Sequence, residues 1–202
     1  QTPYAEVKRQ QRALAAEAAN QFGIHWVHVR LHNPIGPSQS STQAAGAMAR
    51  RLLNAMQEDD PVLRVRGARA VRDCIDVRDV CRMVVSIAEN IDPADSGEDI
   101  EVCTGTGHTV LALATAIVNA SGAEIKIVED EPIQATPVLC PSAHHSSGVN
   151  PLQNVNPSSR DDAVIGDTTY LRRAIGAAAR PCYSLERSMR DLWDALLVSE
   201  RR

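Results

Sequence analysis

Tyr4 and Lys8 stand four residues apart at the head of an Ala-rich stretch. In a helix that spacing puts both side chains on one face. A phenol with a pKa near ~10 is a poor acid or base at neutral pH. An ammonium beside it favours the phenolate and draws its pKa toward the working range. The pair could move a proton at a substrate hydroxyl or carbonyl. The lysine could also donate to the hydroxyls of a bound ribose. Tyr-x-x-x-Lys alone is a weak signal and more often marks a solvated helix face.

The elements that would position this pair follow from apolar spacing. Residues 5–22 read as a helix, with Val7, Leu14, Ala15, Ala18 and Phe22 recurring on one face. Gly23 is placed to end it. Residues 24–31 read as a short β-branched strand, and Asn33-Pro34-Ile35-Gly36-Pro37 must be loop. A helix, a glycine and a strand make half of an α/β crossover unit. Further helices are expected at 42–57, at about 77–88 on the stripe Val77, Val80, Cys81, Val84 and Ala88, and at 109–120. Strands are expected near 62–66, 100–103 and 125–128. Gly105 and Gly107 make a turn that resembles a phosphate loop, a weak signal by itself. Residues 132–160 lack apolar periodicity and read as a long loop insertion. A last helix begins after Ser184, a good N-cap, with Leu185, Met189, Leu192, Trp193 and Leu196 inward. Trp26 and Trp193 are expected in the core.

Composition narrows the classes. The chain has 202 residues, 44% hydrophobic and 23% charged, a globular balance with room for one or one and a half domains. A net charge of −4 argues against a nucleic-acid binder. No apolar run reaches the roughly 18 residues of a membrane span. The cysteines are Cys74, Cys81, Cys103, Cys140 and Cys182. Their odd number and wide spacing suggest no disulfide framework or zinc site, and a reducing cytoplasm fits best. Cys74, Cys81 and Cys103 are expected to be buried, with Cys140 and Cys182 in loops. His144-His145 has no third ligand at zinc-like spacing, so no metal is expected.

The order of motifs resembles the extended short-chain dehydrogenase/reductases, the NAD-dependent nucleotide-sugar epimerases, dehydratases and reductases. Pro3-Tyr4 to Lys8 is followed by Arg30-Leu31-His32-Asn33-Pro34-Ile35-Gly36-Pro37. Next come Arg72-Asp73-Cys74-Ile75-Asp76-Val77-Arg78-Asp79-Val80 and Cys103-Thr104-Gly105-Thr106-Gly107. Arg160, Asp167 to Leu171-Arg172, and Ser184-Leu185-Glu186 complete the series. Within this family the chain looks most like the GDP-4-keto-6-deoxymannose reductases, through Asn33 to Gln39, Asp76 to Val80 and Ile165-Gly166-Asp167.

The resemblance implies an α/β fold: the end of a Rossmann-type NAD(P)-binding domain over 1–37, then a small α/β substrate-binding domain over 38–202. It implies NAD or NADP as cofactor and a nucleotide-sugar as substrate, with GDP-mannose metabolism as the setting. Tyr4 would be the proton donor or acceptor, and Lys8 would tune it and hold the nicotinamide ribose. Leu31 and His32 would lie beside the nicotinamide, mostly through backbone contacts. Asn33 would donate to the sugar or diphosphate. Arg72 and Arg160 would face the diphosphate, whose oxygens suit planar bidentate donors. Strand 62–66 and the loop after Pro37 would border the base and ribose. Plainer readings stand beside these: Asn33 satisfying a turn backbone, Arg72 pairing with Asp76 or Asp79, and Asp79 serving structure. Members often dimerise through the Tyr-containing helix, and Ala13, Ala16 and Ala19 would allow close packing. The activity implied is reduction of a 4-keto-6-deoxy sugar nucleotide. A 4-epimerase, a 4,6-dehydratase or a non-catalytic truncated homologue is the alternative. The chain starts at Gln1 without a Met, and the family's glycine-rich turn and catalytic Ser/Thr would precede Tyr4. The expectation is a fragment of a longer enzyme that by itself binds NAD(P) poorly.

Overall fold

The computed structural model describes residues 3–58, 61–130 and 163–201. Two parallel strand pairs carry most of the architecture. Strand β1 (His28–Leu31) pairs with β6 (Asp99–Val102), His28 opposite Asp99 and Leu31 opposite Val102. Strand β3 (Val62–Arg66) pairs with β8 (Lys126–Asp130). Shorter pairings knit the ends of these strands together. β2 (Pro34–Ile35) runs parallel to β5 (Ile75–Asp76). β4 (Val71–Asp73) lies between antiparallel β7 (Gly107–Thr109) and parallel β9 (Ala163–Val164). The expected α/β class is therefore present.

The helices form where apolar spacing and caps agree. Helix α3 (Val77–Asn90) buries Val80, Met83 and Ile87, spaced three and four apart. Its N-cap is Asp76, whose carboxylate accepts from the Arg78 N–H at 2.8 Å. Helix α4 (Val110–Ser121) is capped by Thr109 and stopped by Gly122 at φ 68°. Helix α6 (Leu185–Glu200) has Ser184 as its N-cap, as the sequence predicts. Helices α2 (Ala44–Ala55) and α5 (Thr169–Ile175) complete the packing around two cores. One core joins α2, β3, α4 and α6 through Leu52, Leu63, Ile117, Met189 and Trp193. The other joins α3, β6 and α5 through Met83, Ile87, Ile100, Val102 and Leu171, with Val27 and Val29 against it.

Helix α1 (Pro3–Phe22) behaves differently. It ends at Gly23, whose φ of 64° lets the Ile24 N–H reach back to the Ala19 carbonyl at 2.9 Å. Only Ala19 is buried. The apolar face read from the sequence is open, with Val7, Leu14 and Phe22 each more than half exposed. Periodicity marks an apolar face without saying what covers it. Strand β1 is also shorter than the expected 24–31, because ladder pairing starts only where β6 begins, at Asp99. Three burial expectations need correcting. Of the expected α3 stripe only Val80 is buried, while Val77, Val84 and Ala88 are exposed and Met83 and Ile87 point inward instead. Cys81 is exposed on α3. Trp26 is only half buried, beside the Arg12 guanidinium 5.8 Å from its ring centre. The expected insertion at 132–160 lies outside the described residues. No helix among the described residues is long and apolar enough to cross a membrane.

Candidate functional site

In open α/β sheets ligands bind beyond the carboxyl ends of parallel strands. Here those ends gather 31–34 after β1, 73–76 around β4 and β5, 103–107 after β6, and 165–168 after β9. Two groups of residues form in this region and beside it.

The first is a cleft of about 600 Å³ between α1 and β1. Tyr4, Lys8 and Leu31 line it together with Arg12, Trp26 and Val29. The Lys8 ammonium lies 5.7 Å from the Tyr4 ring centre, as the i, i+4 spacing requires. Tyr4 is 71% exposed, so its hydroxyl is open to a ligand. Arg12 fastens α1 to the sheet by donating Nε–H to Asp99 Oδ1 at 2.9 Å. His28 Nδ1 meets the same oxygen at 3.0 Å. Burial alone would raise the Asp99 carboxyl, but hydrogen bonds from Arg12 and His28 outweigh it and hold the pKa below the usual range.

The second group lies around β4. Asn33, in the left-handed half of backbone space at φ 22°, donates its side-chain amide to the Asp73 carbonyl at 2.8 Å. Arg72 precedes Asp73 in β4 and donates to the Val71 carbonyl at 2.9 Å. Asp76 and Asp79, the partners considered for Arg72, are engaged elsewhere. Asp76 holds Arg78 and Ser188. Asp79 is fully buried, pairs with Arg82 and accepts from the Cys182 and Tyr183 N–H groups. His32 is nearly buried and spends its backbone N–H on the Val102 carbonyl at 3.1 Å. Its Nε2 lies 3.2 Å from Glu101 Oε2, which also accepts from the Asp167 N–H. The structure thus brings Tyr4, Lys8 and Leu31 to one cleft and Asn33 and Arg72 to Asp73. Arg160 and His144-His145 lie outside the described residues. Among the described residues no cluster of His, Cys, Asp or Glu could hold a metal ion.

Thr104 and the first glycine of the Gly-x-Gly turn hold a carboxylate supplied by the chain itself. The fully buried Asp73 carboxylate accepts from the Thr104 and Gly105 N–H groups at 3.0 and 2.8 Å. Sequence reasoning passed over Asp73 because 31 residues separate it from Thr104. Its place beside Arg72 in the motif was the one available signal.

The sequence model of the NAD dependent epimerase/dehydratase family matches residues 1–103, half of the chain. The chain belongs to that family. Among solved structures it is similar to RMD of Pseudomonas aeruginosa, determined with NADPH: 20% identity, TM-score 0.75, over 98% of this chain and 57% of that one. It is similar also to a UDP-glucuronic acid 4-epimerase of Bacillus cereus, determined with NAD, at 16% identity, TM-score 0.70, over 98% and 53%. A third is a dTDP-glucose 4,6-dehydratase of Bacillus anthracis, also with NAD, at 15% identity, TM-score 0.67, over 100% and 54%. These likenesses establish the Rossmann-like fold. The chain spans little more than half the length of each of these structures.

Proposed function

We propose that this chain supplies the acid–base pair and the substrate-binding part of an NAD(P)-dependent nucleotide-sugar reductase. The observation that carries this is the Tyr4–Lys8 pair, which lines an open cleft against β1 in a member of this family. Fitted to that cleft, Tyr4 gives its hydroxyl proton to the sugar oxygen that becomes a hydroxyl. Lys8 favours the phenolate left behind and donates to the nicotinamide ribose. The cleft's breadth and its phenol and ammonium donors suit the ribose-nicotinamide end of the cofactor, with Leu31 in its wall and His32 next in the chain. When bound, NAD(P)H supplies the hydride. Asn33, Arg72 and Arg160 hold the sugar and diphosphate, the guanidiniums matching phosphate oxygens.

The substrate favoured is a GDP-linked 4-keto-6-deoxy sugar, because Asn33 to Gln39 and Ile165 to Asp167 resemble that subfamily. The presence of a UDP-sugar 4-epimerase and a 4,6-dehydratase among the similar structures supports epimerisation or dehydration as the second reading. We divide the chain as proposed from its motifs, with 1–37 closing the cofactor domain and the remainder binding substrate. Strand β6 nonetheless pairs with β1 across that division. A homodimer through α1 would cover the exposed Val7, Leu14 and Phe22. The deciding experiment is NADPH consumption with GDP-4-keto-6-deoxymannose, set against interconversion of UDP-sugars. Consumption supports the reductase. Interconversion without consumption replaces it with the epimerase.

A further inference from the structure

We propose that Asp73 is a positioning residue for the substrate site, its buried carboxylate holding the strand-end segments that place Asn33 and Arg72. The inference rests on the reading above, in which those two residues meet the substrate. Asp73 is the last residue of β4 and is fully buried. One of its oxygens accepts from the Thr104 N–H at 3.0 Å and the Thr104 hydroxyl at 2.6 Å. The other accepts from the Gly105 N–H at 2.8 Å and the Gly166 N–H at 3.3 Å. These four donors are neutral, so the carboxylate is held by oriented dipoles.

The two glycines make this possible. Gly105 sits at φ 73°, where a side chain would be strained, and a Cβ there would approach Thr168 at 3.0 Å. A Cβ on Gly166 would lie 2.5 Å from Cys103 Sγ. Sequence reading treats Gly105-x-Gly107 as a turn that resembles a phosphate loop. In the fold its Gly105 N–H is spent on Asp73 and its Thr106 N–H on the Thr104 hydroxyl.

The same residue governs its neighbours through the backbone. Its carbonyl receives the Asn33 amide at 2.8 Å. Successive side chains in a strand point to opposite faces, so burying Asp73 turns Arg72 to the other face of β4. Glu101 adds a second tie to the same region by accepting from the Asp167 N–H at 2.9 Å. Loosening the Asp73 contacts would therefore release Asn33 and Arg72 together, without touching a group that meets the ligand.

The test pairs Thr104→Val, which deletes the hydroxyl donor at nearly constant volume, with Thr104→Ser, which keeps it. GDP and UDP are titrated into the full chain calorimetrically, with thermal melting in parallel. Thr104→Val is expected to weaken nucleotide binding at least tenfold while still melting cooperatively, and Thr104→Ser is expected to restore it. Wild-type affinity in Thr104→Val overturns the proposal. If the unsubstituted chain binds neither nucleotide, the substrate reading fails instead. The positioning claim is then decided by hydrogen exchange at the Asn33 side-chain amide and the Gly166 N–H. Exchange at least tenfold faster in Thr104→Val, reversed in Thr104→Ser, supports it; unchanged exchange overturns it.

Discussion

Replacing Asp79 by Ala tests how the C-terminal helix is tied to the rest of the fold. Asp79 is fully buried on α3. One oxygen accepts from Arg82 Nη2 at 2.8 Å, and the other from the Cys182 and Tyr183 N–H groups at 2.9 and 3.1 Å. Alanine removes all three acceptor contacts and fills no space. Each stranded backbone N–H costs about 1–3 kcal/mol where water cannot reach it. Arg82 is roughly a third exposed and keeps the Ala178 and Arg180 carbonyls at 2.5 and 2.6 Å, so its share is discounted for solvent. The expected loss is about 3 kcal/mol, at the lower end for a broken buried ion pair. With a urea slope of about 2 kcal/mol/M, the unfolding midpoint should fall by about 1.5 M. A fall of under about 0.5 M would show that this carboxylate does not anchor residues 180–183, and would refute the reasoning.

Other consequences are as direct. Burial pushes the Cys74 thiol up to about 11 and the Cys103 thiol up to about 12, nearby Asp73 adding to both. Alkylation near neutral pH, read peptide by peptide, should therefore label the exposed Cys81 and Cys182 and spare Cys74 and Cys103; equal labelling contradicts the packing. Burial alone would raise the Asp76 carboxyl, but hydrogen bonds from Arg78 and Ser188 outweigh it and hold the group below the usual carboxylate range. Its stabilisation is thus complete above the unfolded value of about 3.9 and is lost as pH falls through the folded one. Urea melts between neutral pH and about pH 3 should show a shallower acid loss in Asp76→Asn than in the unsubstituted chain; equal slopes would discount Asp76. Gly166→Ala forces a methyl against Cys103 and His32. It should cost about 1–3 kcal/mol, seen as a lower melting temperature, and an unchanged one contradicts the close approach.

The regular elements were legible because their signals are local. Apolar spacing placed helix α3, although its buried side is Val80, Met83 and Ile87 and not the stripe read through Val77, Cys81, Val84 and Ala88; the caps Ser184 and Gly122 each lie within one helix. The pairs β2–β5 and β4–β9 were not legible, since strands of two or three residues are too short to show alternation. Tyr4 and Lys8 could be read as a unit because four residues separate them. Asp73 with Gly166 could not, because the contact joins positions 93 residues apart through backbone N–H groups that any residue carries. The open face of α1 has a related cause. Hydrophobic spacing records that Val7, Leu14 and Phe22 share a side, and the described contacts of this chain leave them uncovered.

The central claim is that Tyr4, beside Lys8, moves the proton at the sugar. It is tested most directly by single-turnover NADPH oxidation with GDP-4-keto-6-deoxymannose, comparing the longest natural form of the protein with its Tyr4→Phe variant. Losing a positioned general acid should slow the step by about 10²–10⁴-fold with nucleotide affinity little changed. An unaltered rate in Tyr4→Phe would contradict the account.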